Sequence, residues 1–256
     1  MANLDATDFY FWDNDGGNGD TDEGSGDAPR TVIEGTSGND RLTGGPGHQV
    51  LTGSPGPDRL DGGPDTDTVT YYESDTGVSV LLRDGSGQNG HAEGDILVDI
   101  ENIVGSDYDD VLGGDNGANH MVGGDGNDGL WGSGGDDILE GRAGIDRLYA
   151  SSGDDYLDGG SGKDRLEGGA GADRLRGGDD ADRFIFTAEH GNDVILDFAD
   201  NQDRIDLSSF ELSGFDQLKV SSDAEGVTID LTASGGGTIL LEGFDINNLD
   251  ATDFLF

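Results

Sequence analysis

The sequence predicts an all-β fold: a solenoid of short parallel strands built from nonapeptide repeats and closed by a C-terminal β cap. Three observations predict it. Thirteen nonapeptides run in register, four from Gly35 to Thr70 and nine from Gly105 to Ile185. Position 8 of the frame is apolar in all thirteen, with ten Leu plus Val69, Met121 and Phe184. One apolar residue per nine is too sparse for a helical stripe, but it suits a strand that turns one side chain inward. Finally, 48 of 256 residues are Gly and only 5 are Pro, as sharp turns between such strands require.

Taken in order, residues 1–30 read as an N-terminal tail and an acidic, Gly-rich linker without apolar periodicity. Residues 3–9 spell NLDATDF, and residues 248–254 spell it again. The duplication reads as repeated module-end sequence. It also raises self-association through a strand that either copy supplies to one sheet edge. Residues 31–70 hold the first array. Position 1 is Gly in twelve repeats and position 4 is Gly in ten; position 6 is Asp in eleven, with Gln49 and Asn119 the exceptions. Two nonapeptides make one flattened coil, and coils stack at about 4.8 Å. Residues 71–104 interrupt the frame. Val78–Leu82 and Ile96–Val104 read as strands around a loop at 84–94, continuing the stack as larger coils. Ile96, Val98, Ile100, Ile103 and Val104 are expected inside. Residues 105–185 are the second array. Residues 186–256 leave the period, and strands are expected near 194–198, 226–231 and 238–241, capping the open end.

Acidic residues number 55 against 13 basic, a formal net charge of -42. That balance argues against binding nucleic acid. No Cys is present, so disulfides and thiol chemistry are excluded. No apolar run is long enough to span a membrane. The N-terminal residues lack the basic and apolar regions of a conventional secretory signal. No H-E-x-x-H, G-x-S-x-G or Walker A sequence occurs, so an enzyme is not expected.

One buried side chain per nonapeptide does not offset the entropy of ordering the other eight residues, at about 1–2 kcal/mol each. Stacked position-6 carboxylates also repel. A cation must neutralise them, and carboxylate and carbonyl oxygens suit Ca²⁺, which takes 6–8 oxygen ligands. Zn²⁺ or Cu²⁺ would prefer His or Cys, and the four His are scattered.

The pattern GGxGxDxUx, seen in residues 123–131, 159–167 and 168–176, resembles the repeat-in-toxin (RTX) nonapeptide of hemolysin-type calcium-binding proteins. That resemblance implies a parallel β-roll with Ca²⁺ between the turns, each ion held by Asp residues 18 apart. The implied ligands are Asp40, Asp58, Asp67, Asp110, Asp128, Asp137, Asp146, Asp155, Asp164, Asp173 and Asp182. The backbone carbonyls of Gly35, Gly53, Gly123, Gly141, Gly159, Gly168 and Gly177 would assist. Gln49/Asp67 and Asn119/Asp137 are weakened pairs, so about seven to nine ions are expected. Tyr108 replaces a turn Gly, and a distortion is expected there. Residues 192–207 are similar to the cap that follows the roll in serralysins and in the R-modules of mannuronan C5-epimerases. Asp193, Asp197, Asp203 and Asp206 are candidates for one further ion in this cap. The ending Asp253-Phe254-Leu255-Phe256 is similar to a type I secretion signal, which implies a secreted, extracellular protein exported unfolded and folded by calcium.

A second reading concerns one outer face. Arg147, Arg165 and Arg183 lie 18 residues apart, with Trp131 and Tyr149 beside them. Guanidinium groups and rings together suit an anionic polysaccharide such as alginate, although Arg rows also balance Asp rows.

Overall fold

The computed structural model describes residues 31–256. The expectations for residues 1–30, including the first NLDATDF copy, lie outside the described residues. The described chain is all-β, with no α-helix and only short 3-10 turns. Its strands fall into two sheets of twelve, and through both arrays successive strands alternate between the sheets. Within each sheet the repeat strands pair in parallel, residue i against i+18. Leu112 faces Leu130, Leu148 faces Leu166, and Leu157 faces Leu175. The position-8 side chains from Leu51 to Phe184 stack between the sheets as one fully buried core.

In the second array the strands are longer than the sequence implies. Ile138–Ala143, Arg147–Ser152, Tyr156–Ser161, Arg165–Ala170 and Arg174–Asp179 each run from position 7 through position 3 of the next repeat. Only positions 4–6 are left to turn. Gly makes this feasible, because Gly126, Gly144, Gly153, Gly162 and Gly171 at position 4 all have positive φ.

The segment between the arrays inserts an antiparallel pairing into a parallel sheet. Ser86–Gln88, expected as loop, is a strand pairing antiparallel with Ser79–Leu81. Ile100, Ile103 and Val104 are buried as expected, but Ile96 is half exposed and Val98 only partly buried. The inward residue is Leu97, opposite Leu60, so Ile96 sits opposite Arg59 on the outside. Over Ile96–Val98 the expected alternation is one residue out of phase, which reverses the side chains of that strand.

At the C-terminal end, Asn192–Ile195 and Arg204–Asp206 add one rung to each sheet. Thr238–Glu242 then pairs with Asn192–Ile195, and an antiparallel meander of Lys219–Ser222, Gly226–Asp230 and Thr238–Glu242 closes that sheet. The other sheet ends at Phe254–Leu255, inside the motif shared with residues 3–9 and just beyond it. There Asp250 and Asp253 form a reciprocal cap over a single turn, and Phe254 is buried.

Candidate metal centre

Position 6 places a carboxylate at the end of eleven of the thirteen turns, just before the strand that carries the inward apolar residue. One oxygen of each ladder carboxylate binds the neighbouring coil. The backbone N–H of Asp110 donates to Asp128 Oδ1 (2.8 Å), that of Asp128 to Asp146, and that of Asp146 to Asp164 (each 2.8 Å). The other row runs from Asn119 through Asp137 and Asp155 to Asp173. These bonds make the 18-residue spacing a physical repeat.

The ladder does not stop where the nonapeptides do. Asp58 N–H donates to Asp95 Oδ1 (2.7 Å), and Asp67 N–H donates to Glu101 Oε2 (2.8 Å). At the far end Asp173 N–H donates to Asp193 and Asp182 N–H to Asp203, both at 3.0 Å. The nonapeptide frame misses Asp95 and Glu101. A shorter signal finds them: an acidic residue, any residue, an apolar residue, any residue. Asp95–Val98, Glu101–Val104, Asp193–Leu196 and Asp203–Asp206 all fit it.

The second carboxylate oxygen divides the ladder in two. In Asp67, Asp128, Asp137, Asp146, Asp155, Asp164, Asp173 and Asp182 it is buried with no hydrogen-bond partner among the described residues. A buried, unpartnered oxygen costs about 1–3 kcal/mol, more when charged. Each of these eight turns has positive φ at both position 2 and position 4. The position-2 residues are Gly63, Gly124, Ser133, Arg142, Ser151, Gly160, Gly169 and Gly178. Elsewhere in the arrays position 2 is not left-handed, and its amide or hydroxyl reaches the position-6 side chain. Thr36 N–H and Oγ bind Asp40 at 2.6 and 2.8 Å. Ser54 Oγ binds Asp58 at 3.1 Å, and Ser106 N–H binds Asp110 at 2.5 Å. Gly45 N–H binds Gln49 and Asp115 N–H binds Asn119.

Position 1 is walled by oxygen in both classes, Gly105 and Gly114 included, but only in the first class is the position-6 oxygen free of a protein donor. A Cβ at Gly123, Gly141 or Gly159 would collide with the orphaned Oδ2 of Asp128, Asp146 or Asp164. It would also meet the carbonyl of Gly141, Gly159 or Gly177 one coil on, at 2.9, 2.7 and 2.7 Å. Gly168 presses on Asp173 in the same way, and Gly177 on Asp182. These glycines leave a small cradle lined by hard oxygens, which fits Ca²⁺. Gly35 and Gly53 differ, because Ser54 Oγ crowds the first and the Tyr71 ring covers the second. Tyr71 OH donates to Asp95 Oδ2 (2.9 Å), which satisfies that oxygen too.

Burial shifts the orphaned carboxylates upward. Desolvation, reinforced by neighbouring carboxylates, raises Asp128 to about 8. It raises Asp137, Asp146, Asp173 and Asp182 to about 7, and Asp155 and Asp164 to about 6. At neutral pH Asp128 thus keeps its proton, and the groups near 7 keep theirs in part, unless a cation replaces it.

The four cap carboxylates do not converge. Asp193 Oδ2 binds His190 Nδ1 at 2.6 Å, and His190 Nε2 accepts from Gly237 N–H. Asp203 accepts from Ala199 N–H, Asp206 from Arg183, and Asp197 from the amides of Gly177 and Gly178. Each is engaged by a different protein group, so a shared ion at these four finds no centre. Among the described residues no three His, Asp or Glu side chains gather at one point. A cation in the roll therefore relies on carbonyls as much as on carboxylates.

On the outer face, Trp131 and Tyr149 stack with centroids 6.2 Å apart and planes 16° from parallel. Arg147, Arg165 and Arg183 stand in register. Arg147 and Arg165 are exposed, whereas Arg183 is committed to the buried Asp206. Arg176, on the other sheet, pairs with Asp158 (3.8 Å).

Comparison with known proteins gives three findings. A family model described as the RTX calcium-binding nonapeptide repeat (4 copies) matches residues 31–48, 43–71, 99–130, 131–166 and 158–195, together more than half of the chain. Among solved structures, a subunit of the mannuronan C5-epimerase from Azotobacter vinelandii is 30% identical. That match covers 58% of this chain and 78% of the other, with a TM-score of 0.24. The extracellular lipase LipA from Serratia marcescens is 16% identical, over 90% of this chain and 40% of its own, with a TM-score of 0.37. No curated protein matches.

Proposed function

The chain belongs to the RTX calcium-binding nonapeptide-repeat family, and from that premise we propose that it is an extracellular β-roll module whose folding is coupled to binding several Ca²⁺. One observation carries this reading: eight buried carboxylate oxygens lack a protein partner, and most adjoin a glycine cradle lined by oxygen. The ligands would be Asp67, Asp128, Asp137, Asp146, Asp155, Asp164, Asp173 and Asp182, helped by the carbonyls of Gly141, Gly159 and Gly177. Because the unbound carboxylates repel and are desolvated, binding free energy becomes folding free energy. Extracellular modules of this kind work at about 10⁻⁴–10⁻³ M calcium, a level the cytosol does not reach. Export as an unfolded chain through a type I apparatus belongs to the same reading. The chain acts here as a binding module, not as an enzyme. Calorimetric titration with Ca²⁺, followed by far-UV circular dichroism, tests it. Several equivalents should bind, with a gain of β signal. An apo chain with the full β spectrum at pH 7.5 would overturn it.

A second reading assigns the Trp131–Tyr149 stack, with Arg147 and Arg165, to an anionic polysaccharide. The stacked rings with a half-exposed Trp131 support it, since rings and guanidinium groups present a flat cationic surface. Retention on immobilised alginate in calcium should fall at least tenfold in Trp131→Ala and Arg165→Ala. Absence of wild-type retention rejects this reading.

A further inference from the structure

We propose that calcium controls only the middle of this roll, joining two ends that are folded without it. The inference rests on the calcium reading above and deepens it. Two independent observations coincide.

The first is where the orphaned oxygens lie. Seven of the eight form an unbroken run from Asp128 to Asp182, and the eighth, Asp67, stands alone. On the N-terminal side, the turns at Asp58, Asp110 and Asn119 are closed by Ser54, Ser106 and Asp115 of the same turns. The inserted Asp95 is closed by Tyr71. On the C-terminal side, Asp193 is closed by His190 and Asp203 by Ala199. In both places a protein donor stands where the central turns offer none.

The second is the distribution of apolar side chains. From residue 123 to 183 the core receives Leu130, Leu139, Leu148, Leu157, Leu166 and Leu175, with Ala150 the one further apolar side chain. The N-terminal end adds Tyr71, Val78, Val80, Ala92, Leu97, Ile100 and Ile103 around the insertion. The cap adds Phe186, Phe198, Leu207, Phe210 and the inner faces of the meander. Burial at about 25 cal/mol per Å² sustains the ends far better than the middle. Where the core is thinnest, the carboxylates are also unpaired.

The consequence is mechanical. Folded, residues 123–185 make three and a half coils, about 17 Å along the axis at the strand spacing. Unfolded, a flexible chain of that length has a root-mean-square span of about 40–48 Å, and its charge extends it further. Calcium would thus draw two structured ends together.

Hydrogen exchange read by mass spectrometry on the full chain tests this, in 10 mM Ca²⁺ and in chelator at pH 7.5. On chelation, peptides within 128–175 should lose protection by roughly 100-fold or more. Peptides within 78–113 and 195–241 should change less than about threefold. In parallel, Asp75→Cys and Ala224→Cys, both exposed positions in a chain with no Cys, carry a donor and an acceptor dye. Energy transfer between them should drop on chelation. If ends and middle lose protection together while calorimetry still shows calcium binding, the division is wrong and the family reading stands. If calorimetry shows no binding, the underlying calcium reading fails and this inference with it.

Discussion

Position 2 of the nonapeptide decides the character of each turn, and residue type alone does not announce which way it goes. Ser54 and Ser106 lie outside the left-handed region and donate to Asp58 and Asp110. Ser133 and Ser151 occupy the same place with φ of 86° and 82° and leave Oδ2 of Asp137 and of Asp155 unpartnered. Neighbours supply part of the reason. Ser54 precedes Pro55, which drives it to extended backbone. Tyr108 takes the position-4 place that has positive φ in ten of the other twelve repeats, so the turn after Gly105 closes differently. The Asp and Leu positions were therefore legible in the sequence, whereas the division among the Asp was not. A left-handed Ser costs about 1 kcal/mol relative to Gly. Ser151→Gly should raise the stability of the calcium-loaded chain by about 0.5–1 kcal/mol in chemical denaturation. Ala150 offers a sharper test. It is the one position-1 residue in the arrays with a Cβ, and in neighbouring repeats that atom would strike the ladder carboxylate. Ala150→Gly should tighten the weakest calcium step in calorimetry or add one equivalent. An unchanged isotherm would show that the methyl does not obstruct the cradle.

At the scale of the strand, the inward Leu row and the parallel coil followed directly from one apolar residue per nine. What misled was phase. Between the arrays the tetrad beginning at Asp95 sets Leu97 inward, and counting apolar residues without that acidic marker puts Ile96 inside. The antiparallel strand Ser86–Gln88 was hidden because its Gly and polar residues carry no strand propensity. Its identity comes from pairing with Ser79–Leu81 on one side and Ile96 on the other. Packing yields a contrast to measure. Leu148→Ala opens a cavity in a fully buried row and should cost about 2–5 kcal/mol in the calcium-bound state. Ile96→Thr, on the outside, should stay within about 0.5 kcal/mol.

For the whole molecule, charge and pH act together. The central carboxylates titrate between about 6 and 8 when folded, above the usual carboxylate range. The folded state therefore holds more protons than the unfolded chain between pH 4 and 8. Without calcium, its stability is greatest at or below about pH 4 and is lost as pH rises through 6 to 8. Acidification in chelator should thus restore β signal in far-UV circular dichroism. Calcium affinity should move the opposite way, weakening as protons compete below pH 7. A calcium midpoint independent of pH between 5.5 and 8 would contradict this account of the ladder.

The pairing of residue i with i+18 also makes the length of this protein a counted quantity. Removing the last nonapeptide, residues 177–185, would send the cap strands to the opposite sheets and set Asn192–Ile195 against Leu166 and its neighbours instead of Leu175. Removing two in succession returns each strand to its own sheet and leaves both ends seated as before. A lineage that keeps each end on its own sheet thus lengthens or shortens this rod two repeats at a time, in steps of eighteen residues.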